Sequence, residues 1–378
     1  MIQLAQPNHV LAASILKNTF AINSSFILGE YPFFWIRLFG VFITALIFSL
    51  LFGKLSLTYL SRWQVKQVVR EEGPKTHYSK SGTPTMGGVG LILALVMSLL
   101  LWGNWSDVTL WLSLAGLGLF ALIGFLDDFI KIQFKNTSGL RAKWKYAMQS
   151  VFAIAIIFVG YKFQILPDRV FVPFVSGENL NVYSISALGV KGVITLLIWQ
   201  YIVIVGASNA VNLTDGLDGL VSVPVICVAI GLAILAYFSS DFNLSQMVHV
   251  PYFSHGLEVM VVLVGLVGAC MGFLWFNTYP AQMFMGDVGA LALGALLGVC
   301  ALMLSQEIIF AVMGFLFVIE ALSVIIQVGS YKIRGKRVFL MAPIHHHFEL
   351  KGWEEPKICV RFWLLSVVFV ALGLLVLL

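Results

Sequence analysis

The sequence predicts an all-α polytopic membrane protein, and three observations carry that expectation. Of 378 residues, 60% are hydrophobic and only 11% charged, with a mean hydropathy of +0.94; soluble domains carry about 25% charged residues. The apolar residues fall into runs close to the ~20 residues a helix needs to cross a bilayer. The cations gather in alternate connections between those runs, as the positive-inside rule requires.

About ten spanning helices are expected, at Phe33–Leu57, Thr85–Trp102, Val108–Phe125, Trp144–Phe163, Val190–Ala207, Leu220–Phe238, Leu257–Phe276, Ala290–Leu304, Ile308–Val328 and Ile358–Leu378. The eighth is short and contains glycine. No internal repeat or low-complexity tract interrupts them, and the loops leave no room for a separate soluble domain. A single integral membrane domain, 1–378, is therefore expected.

Orientation follows from lysine and arginine. The segments 61–82, 129–145 and 331–361 hold 17 of the 23 cations, whereas 103–107 and 239–256 hold none. This places the basic segments in the cytoplasm and both termini on the other side. The net charge of +5 thus reflects topology and gives no argument for nucleic acid. The first 20 residues lack a basic start, an apolar core and a small-residue cleavage site, so no removable signal peptide is expected. Cys227, Cys270, Cys300 and Cys359 lie in or beside apolar runs without a C-x-x-C spacing, as buried small residues do.

Polar residues gather at the predicted cytoplasmic ends. Asp127 and Asp128 close the third apolar run. Two carboxylates at a helix C-terminus oppose the macrodipole, so a cation must compensate: a metal ion, or Lys131, Lys143 and Lys145. In the segment 209–220, Asn209, Asn212, Asp215 and Asp218 recur every third residue, and Gly216 and Gly219 follow the two acids. That pattern suits an unwound turn whose backbone reaches a ligand. Asp287 lies between two glycines near the expected N-cap of the eighth helix, where capping is a competing explanation. His345, His346 and His347 follow Pro343 in what reads as an open loop. They cannot all ligate one ion, but imidazoles can donate to phosphate or sugar oxygens. Charged groups at membrane depth are costly and usually functional.

Oxygen donors without cysteine or paired helical histidines point to a hard divalent cation, Mg²⁺ above others. Mg²⁺ with lysines and histidines is a kit for phosphoryl transfer. At a membrane boundary, one reactant would be a lipid and the other a cytosolic phosphate compound. A secondary transporter is the competing class, although transporters place such groups near the midplane and show repeats.

The stretches VVREEGPKTHYSKSGTPTMGG (68–88), GFLDDF (124–129), NAVNLTDGLDGL (209–220), FLWFNTYPAQMFMGDVGALALG (273–294), APIHHHFELKGW (342–353) and EPKICVRFW (355–363) resemble the polyprenyl-phosphate N-acetylhexosamine-1-phosphate transferases. The histidine stretch resembles their muramoyl-pentapeptide branch. The resemblance implies a ten-helix fold with a cytoplasmic active site in a bacterial inner membrane, and homodimers. It implies transfer of phospho-MurNAc-pentapeptide from UDP-MurNAc-pentapeptide to undecaprenyl phosphate, giving lipid I and UMP with Mg²⁺. A sister enzyme moving GlcNAc-1-phosphate is the alternative within the family. Asp127, Asp128 and Asp287 match the family's essential acids, with Asp287, Asp215 and Asp128 as metal ligands. Lys80, Thr85, Asn212, Asp215, Asp218, Asn277, Phe284 and Gln327 match positions lining the nucleoside pocket; Lys143 and Asn209 join the substrate-binding set. The three histidines would orient the sugar-pyrophosphate region. Asp127 or Asp128 would deprotonate the lipid phosphate, or a carboxylate would form a covalent intermediate; the residues leave both routes open.

Overall fold

A computed structural model describes residues 32–62, 82–134, 139–173, 182–183 and 189–378. Among these, nine helices are long and apolar enough to cross a membrane, and the protein is an all-α multi-pass membrane protein. They are α1 (Pro32–Arg62), α3 (Val108–Gln133), α4 (Ala142–Lys162), α5 (Val190–Thr214), α6 (Ser222–Ser240), α8 (Gly256–Asn277), α9 (Gly286–Met303), α11 (Phe315–Arg334) and α13 (Glu355–Leu374). Where a tenth span is expected, the structure has a shorter apolar helix of 15 residues, α2 (Gly88–Trp102), which falls below that length. Three short helices, α7 (Phe242–Met247), α10 (Glu307–Met313) and α12 (Ile344–Leu350), and one two-stranded antiparallel ribbon, β1 (Val170–Phe171) with β2 (Val182–Tyr183), complete the described elements.

Helix α9 is the hub. Every residue from Val288 to Met303 is buried, and it packs chiefly between α3 and α5. Its glycines permit the close approach that packing within a bilayer depends on. A Cβ on Gly294 would stand 2.4 Å from the Ala207 carbonyl oxygen of α5, and one on Gly124 of α3 would stand 2.2 Å from the Asp287 carbonyl oxygen. On the other side of the bundle α8 packs against α1 and α6, and α1 against α2. The opposite pattern marks the rim: α1 and α13 leave most of their apolar residues on the outside, where lipid would cover them.

Several expected boundaries are corrected. The second span begins at Gly88 rather than Thr85, because the preceding residues pair with another segment: Gly87 and Gly88 N–H donate to Phe284 and Met285 carbonyls, and Phe284 N–H donates to Pro84. The third helix runs on to Gln133, so Asp127 and Asp128 lie inside it and not at its end. The eighth helix, expected to be short, starts four residues early and is the most buried. The ninth is broken at Gly314 into α10 and α11. The histidine loop is a helix: Pro343, extended at its N-cap, begins α12 instead of excluding it.

Candidate active site

Four elements bring the predicted acids to one end of the bundle. The contact between Gly124 and the first turn of α9 decides the geometry. One turn beyond Gly124, Asp127 and Asp128 meet Asp287, and ligand oxygens of all three carboxylates lie within 4.8 Å of one another. Adjacent helical residues diverge by ~100°, and the two aspartates accordingly differ in their partners. Asp127 Oδ1 accepts from Leu140 N–H at 2.8 Å, while Asp128 Oδ2 accepts from Val288 N–H at 3.2 Å in the first turn of α9. Asp287 is not the N-cap of α9; that position is Met285. It sits within the first turn, where a carboxylate complements the helix dipole.

Two of the three proposed compensating cations are in place. Lys131 Nζ lies 2.5 Å from Asp127 Oδ2, 2.9 Å from Asp287 Oδ2 and 3.5 Å from Asp128 Oδ1. Lys145 Nζ lies 2.7 Å from Asp287 Oδ2 and 3.7 Å from Asp127 Oδ2. Lys143, two residues earlier on α4, is exposed, so the helix periodicity points Lys145 inward in its place. Three carboxylates against two ammonium groups leave negative charge over before Asp215 is counted. All of the donors are oxygens, which fits a hard divalent cation.

Asp215 follows the last residue of α5 and interacts electrostatically with Asp287 and Asp128 from outside the tight set. Burial, first, and then the charges of Asp287, Asp128 and Asp218 push its carboxyl up to about 8. Asn212, one turn deeper on α5, is half-buried. Asn209 exchanges amide hydrogen bonds with Gln149 of α4, at 2.9 and 3.3 Å, and so ties α5 to the helix that carries Lys145. Asp218 Oδ2 accepts from Ala281 N–H at 2.9 Å. Asn277 accepts from Gly219 N–H and donates to the Met283 carbonyl. These two side chains clasp the 215–220 turn to the 278–285 loop that leads to Asp287.

The loop before α2 reaches the same place. The Thr85 hydroxyl would stand 3.2 Å from a Cβ on Gly286, and Phe284 is held through its backbone to Pro84 and Gly87. Lys80 lies outside the described residues. Gln327 of α11 accepts from Val338 and Phe339 N–H groups and donates to the Phe339 carbonyl, so its amide staples the loop after α11. Beside it, a cavity of about 450 Å³ is lined by Gln327, Tyr331, Lys332, Arg337 and apolar residues including Leu340 and Leu350.

The three histidines have different partners, which no sequence pattern announced. His345 is fully buried and pairs through Nδ1 with Glu320 Oε1 at 3.1 Å. His346 Nδ1 lies 2.6 Å from Glu349 Oε2. His347 Nδ1 accepts from Leu340 N–H at 3.1 Å; desolvation and nearby Lys351 lower its pKa. Sequence reasoning also missed Glu355, whose Oε1 accepts from Asp218 N–H at 2.7 Å. Its only signal was an acid one turn before an apolar run.

The fold and this site define a multi-pass membrane enzyme with an acidic, lysine-lined cluster able to hold a metal ion. Residues 110–305, just over half of the chain, match the family model of Glycosyl transferase family 4. The chain belongs to that family. It is a phosphoglycosyl transferase of the polyprenyl-phosphate hexosamine-1-phosphate transferase superfamily, moving a phosphosugar from a nucleotide-sugar donor to a polyprenyl phosphate. Family members generally depend on a divalent metal.

Proposed function

We propose that the phosphosugar is phospho-MurNAc-pentapeptide, taken from UDP-MurNAc-pentapeptide and delivered to undecaprenyl phosphate to give lipid I and UMP. The observation that carries the chemistry is the meeting of Asp127, Asp128 and Asp287 within 4.8 Å, with Lys131 and Lys145 on them. The muramoyl branch is supported by the resemblance of APIHHHFELKGW at 342–353. A transferase family gives no support to the transporter reading.

In the transfer, an oxygen of the lipid phosphate forms a bond to the sugar-bearing phosphorus of the donor. The bond from that phosphorus to the bridging oxygen breaks, and UMP leaves with the electron pair. A proton on the attacking phosphate passes to Asp127 or Asp128. Mg²⁺, held by Asp287 and Asp128 with Asp127 and Asp215 beside them, would neutralise and polarise the pyrophosphate. Lys131 and Lys145 hold the acids in place and offset the charge that gathers on the transferred group. Thr85, Asn212, Asp215 and Phe284 would contact the nucleoside, a role the motif match also assigns to Lys80; Asp218, Asn277 and Gln327 serve by shaping the walls. His346 and His347 line the sugar-pyrophosphate end, while His345, buried against Gly216, supports the turn behind it.

The reading includes cytoplasmic orientation of this end of the bundle, a bacterial inner membrane, one domain over 1–378, and a homodimer. Its test is UMP release by purified protein, which should require UDP-MurNAc-pentapeptide, undecaprenyl phosphate and Mg²⁺ together. UDP-GlcNAc in place of the muramoyl donor should be inert. Turnover with UDP-GlcNAc alone would assign the sister activity instead.

A further inference from the structure

Glu320 is a carboxylate with no exposed surface, five residues into α11. A buried carboxylate is tolerated when its oxygens are fully bonded. Oε2 accepts from Ile344 N–H at 2.9 Å and Oε1 faces His345 Nδ1 at 3.1 Å. The contact between Oε1 and Nδ1 holds the imidazole in one orientation. Nε2 is then turned away from Glu320, buried and without a hydrogen-bond partner.

What Nε2 faces is the acidic turn. A Cβ on Gly216 would stand 2.1 Å from Nε2 and 2.7 Å from Cε1 of His345. The ring therefore occupies the space that a side chain at 216 would need. Gly216 is demanded here by contact, since its φ lies outside the left-handed range. Its immediate neighbour is Asp215, which interacts with Asp287 and Asp128. A continuous path of contact runs from a carboxylate inside α11, through one imidazole, to the turn that carries an acid of the reaction centre.

We infer that Glu320 is a positioning residue for phosphosugar transfer: it locks His345 against Gly216 and thereby sets Asp215 relative to Asp287. Carboxylates that orient a metal-ligating histidine typically matter by about 10–100-fold, and the same scale is expected for a histidine that positions a residue of the reaction centre. This inference rests on the proposed reaction, so the first measurement is wild-type UMP release from UDP-MurNAc-pentapeptide and undecaprenyl phosphate. Absence of that release fails the functional reading and not the Glu320 path.

With wild-type turnover established, Glu320→Gln and Glu320→Asp are compared in the purified full chain. Glu320→Gln should lower kcat about 10–100-fold with donor KM changed under about threefold, and Glu320→Asp should recover part of the loss. Gly216→Ala, which pushes the ring from the other side, should show the same kcat-dominated defect. The double variant Gly216→Ala with Glu320→Gln should be no worse than the poorer single one, because groups acting through one path are not additive. Wild-type kcat in Glu320→Gln with an unchanged melting temperature overturns the inference. So do multiplied losses in the double variant, or a defect in melting temperature alone with kcat per folded molecule intact.

Discussion

Gly124→Ala is the sharpest test of how the site is built. On helix propensity alone, alanine for an interior helical glycine stabilises by about 1 kcal/mol. The structure predicts the opposite sign. A methyl group at 124 would stand 2.2 Å from the Asp287 carbonyl oxygen and 2.5 Å from Val288 Cα, both backbone atoms that no rotamer change can clear. Restoring 3.0–3.4 Å to the oxygen needs α3 and α9 to part by about 1 Å, and overpacking of this kind costs about 1–3 kcal/mol. The same displacement separates Asp127 and Asp128 from Asp287, and a misplacement of ~1 Å at a reacting centre costs on the order of 10²-fold in rate. The assay pairs thermal unfolding of the detergent-purified chain with UMP release at saturating substrates. A melting temperature at or above wild type with kcat within threefold would refute the claim that this contact sets the acids' spacing.

Four further outcomes follow from the same geometry. Lys145→Ala removes the 2.7 Å partner of Asp287 and should lower kcat by about 10²-fold, the scale of a lost electrostatic group at a transition state; Lys143→Ala, at an exposed position, should stay within threefold, and equal effects from both would contradict the assignment. Chelation with EDTA should abolish UMP release and Mg²⁺ should restore it; full activity after exhaustive chelation would remove the metal from the reaction. Glu307, at the start of α10, is pushed up to about 8 by burial. The folded state therefore keeps a proton that the unfolded chain releases from about 4.5, so stability should fall as pH rises through 4.5–8. Glu307→Gln should flatten that limb of the melting-temperature profile; an unchanged slope would refute it. Asp107 caps α3 by accepting from Thr109 N–H and pairs with His255. These bonds outweigh burial and lower its pKa, so its contribution is present above its ordinary 3.8 and is lost as pH falls below that. Asp107→Ala should cost about 1 kcal/mol at neutral pH, as lost N-caps do, and unfolding measurements showing no loss would count against the cap.

The spans were legible because bilayer thickness and apolar composition act on each helix separately. The acids were legible because charge at the end of an apolar run has few innocent explanations. What the sequence could not disclose depends on which helices touch. Gly124 looked like one small residue among many; its role appears only when α3 crosses α9. Glu320 lay inside a predicted span with nothing nearby in sequence to pair it, because its partners are 24 and 25 residues away on α12. Lys143 and Lys145 were equivalent as charges, and only the rotation of α4 separates them. Pro343 reads as a breaker in the sequence, although a proline just before a helix is compatible with starting one. Hydropathy falls at Asp127 and Asp128 and so marks a helix end there, while the backbone continues for another turn and a half to support Lys131.

A common device links these cases. Several groups at the centre rest against a residue that has no side chain. The Asp287 backbone carbonyl lies on Gly124, Asp128 Oδ2 would be 2.5 Å from a Cβ on Gly286, Asp127 Oδ1 would be 2.7 Å from one on Gly139, and the His345 ring lies on Gly216. Carboxylates this close repel unless cations and N–H donors reach them, and those donors are backbone groups of the opposing segments: Leu140 N–H on Asp127 and Val288 N–H on Asp128. Backbone donors approach so closely only where no Cβ intervenes. The glycines are therefore part of the electrostatics of the site as well as of its packing. Two of them carry a second constraint, since Gly139 and Gly286 have φ of +57° and +76°, where a side chain is also strained. Alanine at 139 or 286 should thus harm the protein through conformation and contact together. Alanine at 124 or 216 acts through contact alone, which makes that pair the cleaner probe of how distance between the acids governs transfer.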